Sequence, residues 1–356
     1  MTVGAGVPLM GYDSYLGLAK ESTWGTLSDN FTFVEFNSES IKKTHEEILL
    51  ESINGTRNYK KRMSGNIEVT GSLDLDCNVA SDAVNYIIYQ AMGGTVTCST
   101  ITASVYQHVF SWGDMENNKR GTGSASAADL KGLSLQMRKG GFGSHTGPAI
   151  FNARGGRVNN LTIKGEIGRP VVMTADMVFK GMTITSSTPT AAFSDIKPLF
   201  FDSVNVYFAD SITNAVPTEE IYQNFELTIN NNLVSDAGAR ELGSRQLSIG
   251  PPPTRMDVKL KLMQRFDTLT AYNRWIGNTM CAIHIRCISS TYITASTTSG
   301  TTYTMYIALP ACYLNNPMTE IGGPEMLNQT LEFSCILETM TSYPVQITVT
   351  NGTENY

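Results

Sequence analysis

The stretch "NGTRNYKKRMSGNIEVTGSLDLDC" (Asn54–Cys77) decides the fold. From Ile67 onward it alternates: Ile67, Val69, Leu73, Leu75 and Cys77 share one face, and Glu68, Thr70, Ser72, Asp74 and Asp76 the other. A period of two is the pattern of a strand with one buried and one wet face. Just before it, Arg57, Lys60, Lys61 and Arg62 fit the loose cluster of a polyanion site, and also that of a solvated loop, the commoner case.

The stretch recurs. Gly55, Arg57 and Arg62 reappear 183 positions later as Gly238, Arg240 and Arg245, while Lys60 and Lys61 become Gly243 and Ser244. A nucleic-acid patch would keep its total charge, so the arginines read as bonding groups at a module or subunit junction. A second alternating run follows, with Met256, Val258, Leu260 and Leu262 opposed to Asp257, Lys259 and Lys261. Each strand leads into a predicted short helix. "SDAVNYIIYQAMGG" offers Ser81 as N-cap and Gly93 as stop, and "FDTLTAYNRWIGN" offers Asp267 and Gly277, with Leu269, Tyr272 and Ile276 as its apolar side.

A third pairing closes the repeat. Val158–Phe179 and Leu314–Phe333 both run Asn-Asn, Ile-Gly-x-Pro, then an alternating strand ending on Phe, which reads as a hairpin. Ile167, Gly168, Pro170 and Phe179 lie 154 positions before Ile321, Gly322, Pro324 and Phe333. The change of offset assigns about 30 extra residues to the first copy, placed between Gly94 and Asp129, where "SWGDMENNKRGTGSASAADL" reads as an exposed loop.

The chain is therefore mainly β: two tandem related β-sandwich or barrel modules, each with one short α-helix. The expected division is an N-terminal arm 1–24, a first module 25–185, a connection 186–219 containing Pro189 and Pro198, a second module 220–350 and a tail 351–356. With only two copies it is not a solenoid.

Composition narrows the function. The chain has 356 residues, 41% of them hydrophobic, enough for a packed core. A net charge of −6 argues against general affinity for duplex DNA or anionic membranes. Charged residues are 16%, against about 25% in a typical soluble domain, which fits a surface covered by other subunits. Cys77, Cys98, Cys281, Cys287, Cys312 and Cys335 form no CxxC pair and read as mostly buried small hydrophobes in a reducing cytoplasm. No signal-peptide pattern or membrane-length apolar run is visible, and the Asn-x-Thr sequons read as chance matches.

No catalytic constellation emerges. His45, His108, His145 and His284 are scattered, and Cys281 and Cys287 flank His284 without a further ligand. "KGGFGSHTG" (Lys139–Gly147) lacks the Gly-Lys-Ser/Thr ending of a phosphate loop. Asp74 and Asp76, two apart on one strand face, would suit a hydrolase geometrically but have no oriented partner. A carbohydrate-binding module would need aromatic platforms, and Trp24, Trp112 and Trp275 sit in unrelated settings. No catalytic, cofactor or metal residue is assigned.

The sequence resembles the tail tube (major tail) proteins of long-tailed bacteriophages. The resemblance rests on "YLGLAKESTWGTLSDNFTFVEFNSESI", on the module from "INGTRNYKKRMSG" to the helix ending Gly-Gly, and on "RVNNLTIKGEIGRPVVMTADMVFKG". The family's opening Gly-x-x-x-Glu-x-x-Trp-Gly-Thr is matched by Gly17, Glu21, Trp24, Gly25 and Thr26. The match covers the first module well and the second more loosely.

The resemblance implies modules whose strands join those of neighbours in a ring-shaped β-barrel. Rings stack into a hollow tube in the virion tail, enclosing a tape-measure protein, joining other tail proteins at its ends and later passing double-stranded DNA. Single-module members form hexamers, so two modules per chain point to a homotrimeric, pseudo-hexameric ring, with a hexamer as the alternative. About four strands per module give about 24 strands and a backbone diameter near 48 Å. In "NSESIKKTHEEILLES" (Asn37–Ser52) the family has a loop reaching the adjacent subunit or ring. The resulting candidate contacts are Ile41, Lys42, Lys43, Glu46, Glu47, Ile48 and Leu49, with Arg57, Arg62, Arg240 and Arg245. Glu68, Asp74, Asp76 and Asp257 form the candidate lumen face, from which Lys259 and Lys261 depart in charge.

Overall fold

The alternating stretches become strands. The structure, a computed structural model, describes residues 11–53, 55, 57–59, 61–93, 95–111, 131–139, 149–185, 190–209, 218–293, 300–318, 326–337 and 343–354. The first half contains β1 (Tyr15–Lys20), β2 (Thr32–Val34), β3 (Ser38–Glu39), β4 (Lys42–Leu49), β5 (Arg62–Asp76), α1 (Asp82–Ala91), β6 (Thr95–Thr102), β7 (Val105–Ser111), β8 (Leu133–Lys139), β9 (Ala149–Glu166), β10 (Val172–Phe179) and β11 (Gly181–Thr185). The second contains β12 (Val204–Ala209), β13 (Thr218–Glu220), β14 (Asn224–Asn230), β15 (Asp257–Arg265), α2 (Thr270–Ile276), β16 (Cys281–Tyr292), β17 (Thr302–Leu314), β18 (Asn328–Cys335) and β19 (Gln346–Asn351).

Pairings repeat between the halves, all antiparallel. β5 pairs with β10 and β10 with β9; β15 pairs with β18 and β18 with the end of β17. β9 continues backward into a second layer, β2–β1–β8–β9–β11. In the same way β17 enters the layer β13–β12–β16–β17–β19. β14 pairs with β15 on one side and with β9 on the other, so the barrel-type sheet runs β4–β5–β10–β9–β14–β15–β18–β17 across both halves. Val69, Leu73, Leu75, Met173, Phe179, Leu161, Ile163, Leu227, Leu260 and Phe333 on its inner side are buried in one continuous core.

The two helices are covered differently. α1 follows Ser81 and buries Val84, Ile87, Ile88 and Ala91, and Gly93 leaves it with φ +85, a conformation suited to glycine. α2 is N-capped by Leu269 rather than by the expected Asp267, and Ala271 is its one buried residue. With so little packed against it, its first turn is not held back to Asp267.

Other differences concern the long loops. The expected insertion begins with a hairpin, β6–β7, whose β7 pairs with β19 of the second half and so ties the halves together. Residues 112–130, expected to form an exposed loop, most of "KGGFGSHTG", and Ile321, Gly322 and Pro324 lie outside the described residues. The arm and the connection read from the sequence each carry a strand, β1 and β12. Five cysteines are buried, and Cys98 is exposed.

Candidate functional site: the polar sheet face and its open edges

Period-two alternation puts every second side chain of the eight-strand sheet on its outer, solvent side. Glu68, Asp74 and Asp76 on β5 lie there with Asp176 on β10, Glu166 on β9, Glu226 on β14, Asp257 on β15 and Glu332 on β18. Lys42, Lys164, Lys259, Lys261 and Arg265 share the face, so the eight acids outnumber the five bases. The four acidic residues expected there thus fall on one face, and so do the two lysines that depart from them.

The lysines are matched locally. Lys164 stands opposite Glu226, Glu226 opposite Lys261, and Lys261 opposite Glu332, a cross-strand row of alternating sign. Lys261 Nζ lies 3.3 Å from Glu332 Oε1, and Lys164 Nζ 2.5 Å from Glu166 Oε1. Hydrogen bonding from Lys164 holds the Glu166 carboxyl below the usual carboxylate range. Asp74 accepts from Thr174 Oγ1 at 3.1 Å and Asp76 from Asn37 Nδ2 at 2.8 Å.

The sheet has two open ends. β4 pairs with β5 alone among the described strands, and all eight of its residues are exposed. At the other end β17 holds β18 on one side, but beyond Cys312 its other edge carries no strand among the described residues. On β4, Lys42, Lys43, Ile48 and Leu49 face solvent, Glu46 accepts from Asn66 N, and Glu47 pairs with Arg62 at 2.8 Å. Ile41 differs from the expectation: it is buried in the chain's own core against Gly71, as Phe225 is against Gly165.

The arginines diverge. Arg57 is exposed and makes no hydrogen bond or ion pair with a described residue. Arg240 crosses from the second half to the first, donating to Ile67 O at 3.3 Å, with Glu68 3.5 Å away. The Arg245 carbonyl accepts from Ile67 N at 2.8 Å. Their neighbourhood is fixed by Asn231, which donates to Ala91 O and Val158 O, and by buried Arg157, which donates to Pro251 O. These bonds join the halves. The sequence reading missed Asn231 and Arg157 because their partners are remote in the chain. The alternation of β10, β14 and β18 could have disclosed the remaining acidic residues.

The opening motif forms a clamp. Buried Glu21 accepts from Gly25 N, Gly155 N and Ser134 Oγ at 2.6, 2.7 and 2.9 Å. Trp24 Nε1 donates to Gly155 O at 3.1 Å, and Lys180 Nζ lies 4.7 Å from the Trp24 ring. Gly155 has φ +69, and it sits where β9 passes from one layer to the other. Trp24 therefore serves this corner and is no platform for sugar, while Trp275 packs edge-on against Tyr272 and Trp112 lies outside the described residues. Among the described residues no group of three or more His, Cys, Asp or Glu is arranged to hold a metal.

No curated protein sequence matches the chain. Among solved structures, the SPP1 tail tube, determined by solid-state NMR and cryo-EM, is 12% identical over 44% of this chain and 81% of its own, with a TM-score of 0.28. That likeness is too slight to place any residue. The family model described as phage tail tube protein matches residues 11–335. The match takes in the clamp, the junction between the halves and every strand but β19, and the chain belongs to the phage tail tube protein family.

Proposed function

We propose that the chain forms stacked three-membered rings, in which β4 of one copy adds to the open edge of β17 of the next. The observation that carries this reading is the junction inside the chain. β14 stands to β15 as β4 stands to β5, and β14 also pairs with β9, the counterpart of β17. Repeating that junction between chains leaves no open edge, the usual remedy for an exposed strand.

Strand number favours three chains. Eight strands per chain give about 24 in a trimer, hence a circumference near 150 Å and a diameter of about 48 Å at ~4.8 Å spacing and ~40° tilt. Six chains would double the diameter to about 96 Å, far more than a duplex needs.

The polar face lines the lumen, because the opposite face is filled by the chain's own core. Its net acidity keeps phosphate from lodging as DNA passes, since each phosphate contact adds salt-dependent affinity. The tape-measure protein occupies the same bore before ejection, and other tail proteins close the ends. The subunit is a structural part of the virion tail, made in the bacterial host, and has no enzymatic role. Electron microscopy with symmetry analysis tests this: three-chain rings of about 48 Å barrel diameter are expected. Monomers that persist at high concentration, or rings of six chains, count against it.

A further inference from the structure

We infer that the tip of the β4–β5 hairpin seats on α2 of the neighbouring copy within the same ring; this rests on the strand pairing proposed above. Two exposed apolar surfaces are left uncovered by the described residues of the chain. On the hairpin they are Ile48, Leu49 and Met63, 42%, 43% and 54% exposed. On α2 and its approach they are Leu269 and Ile276, each 61% exposed. Other exposed apolar side chains, Ile167, Ile221 and Leu242 among them, lie elsewhere, but these two groups flank the sheet ends that the proposed ring joins, where an interface between copies would cover them.

The internal junction supplies the register. Lys43 stands opposite Val69, which stands opposite Phe179. Leu227 stands opposite Leu260, which stands opposite Phe333. Lys43 and Leu227 are thus equivalent, and four residues on, Glu47 is the equivalent of Asn231. Asn231 reaches the last residue of α1, donating to Ala91 O at 3.0 Å. Across the junction between chains, Glu47 comes to the end of α2, so Ile48 and Leu49 lie against Ile276. α1 is covered within its own half, by β1, β2 and β9, whereas α2 rests on β17 and on the Arg274 contacts with Glu220 and Phe208, leaving Leu269 and Ile276 outside. The second half therefore needs the cover that a neighbour's hairpin provides. A second copy is the occupant because the tip and the helix belong to the two edges that meet.

The test is a cross-link in the full-length protein. Leu49→Cys and Ile276→Cys are combined in a Cys98→Ser background and treated with a short bis-maleimide after assembly. Covalent dimers and trimers from single rings are expected, with the yield falling at least tenfold when either engineered cysteine is omitted. Rings that form without the cross-link overturn the docking and leave the strand pairing standing. Cross-links found in stacked rings but absent from single rings assign the tip to the next ring and also overturn it. Failure to form rings, in the unaltered chain as well, removes the strand pairing and this inference with it. As an independent arm, Leu49→Asp is expected to raise the concentration needed for assembly at least tenfold while leaving the monomer's melting temperature unchanged.

Discussion

Arg240 in the second half and Glu68 in the first are 3.5 Å apart, Nη2 to Oε1, but the pair is unequal: the arginine side chain is 10% exposed and the glutamate 60%. The ion pair is therefore screened and contributes little. The stronger ties are the bonds from Arg240 Nη1 to the carbonyls of Ile67 at 3.3 Å and Arg245 at 3.0 Å. Arg240→Ala is expected to lower folding stability by about 1–3 kcal/mol, since it strips donors from partly buried carbonyls. Glu68→Gln should change it by less than about 0.5 kcal/mol, and Arg57→Ala not measurably. Urea titration of the three variants checks the order, and a Glu68→Gln loss as large as that of Arg240→Ala would refute it.

Glu21 carries a pH dependence. Burial pushes its carboxyl above the ordinary value of 4.5, and the donors from Gly155, Gly25 and Ser134 offset only part of that. A carboxyl raised in the folded state gives stability that is complete below the unfolded value and is lost as pH rises through the folded value. The Glu21 contribution thus declines above pH 4.5. Glu21→Gln removes the titration but turns an amide N–H toward a backbone donor, costing about 1–3 kcal/mol. The stability gap between native protein and variant should be widest near pH 4 and narrow toward neutrality; a gap that widens with pH contradicts the burial argument.

What was legible in the sequence was local and periodic. The alternation of Glu68 to Asp76 places each side chain on the face it occupies, and the helix after β5 starts after Ser81 as read. The offset that pairs Arg57 with Arg240 does not hold along the strands, where Val69 is equivalent to Leu260. The connection after β14 is longer than the one after β4, and it folds onto the first half instead of extending as a hairpin. Partners distant in sequence hold that path: Ile67 on β5, which bonds to Arg240 and Arg245, and Arg157 on β9, which donates to Pro251 O. β6 escaped notice because "TVTCSTIT" has little apolar character, its pairing being supplied by β7. Non-local strand pairing is set by what is left over when nearer pairs have formed, and period alone does not record it.

Cys312 and Cys335 are close enough for an oxidant to join them, although burial pushes the Cys312 thiol well above its ordinary value and slows the reaction. They are opposed in β17 and β18 with sulfurs 3.1 Å apart. The bonds Asn315 N to Glu332 O and Ile336 N to Ala311 O make this a non-hydrogen-bonded pair, the closer kind, at about 4.5 Å between Cα atoms. With hydrogen peroxide, one thiol attacks the O–O bond to give a sulfenic acid and water; the second thiol then displaces water from the sulfenic sulfur to give the disulfide. Peptide mass mapping should find a Cys312–Cys335 link, lost in Cys335→Ala and retained in Cys281→Ala. A Cys281–Cys312 link instead would show that the neighbouring pair is the reactive one.

The acidity of the polar face has a functional counterpart. If this face lines the bore, Asp74→Lys and Asp76→Lys exchange repulsion of phosphate for attraction. Assembled tubes of the double variant should retain duplex DNA at low salt and release it as salt rises, the logarithm of affinity falling by about 0.9 per phosphate contact for each unit of log salt. Native tubes should not retain it. DNA retention that is equal in both, or lies on the tube exterior by microscopy, would place the acidic face outside.

The sharpest test of ring closure uses the direction of single N–H groups in β4. Ser40 N donates to Ser72 O, and Lys42 stands opposite Thr70 in the same register, so Lys42 N is also turned toward β5. Alternation turns Lys43 N away, to the open edge. Lys43→Pro therefore removes a donor that serves no bond to a described residue of the chain, and proline is tolerated on an edge strand in that orientation. Lys42→Pro removes a bond to β5. The expectation is that Lys43→Pro folds with nearly native melting but forms no rings, whereas Lys42→Pro melts several degrees lower. Normal ring formation by Lys43→Pro would mean that chains join elsewhere than along β4, because a neighbour's strand needs that donor to continue the ladder.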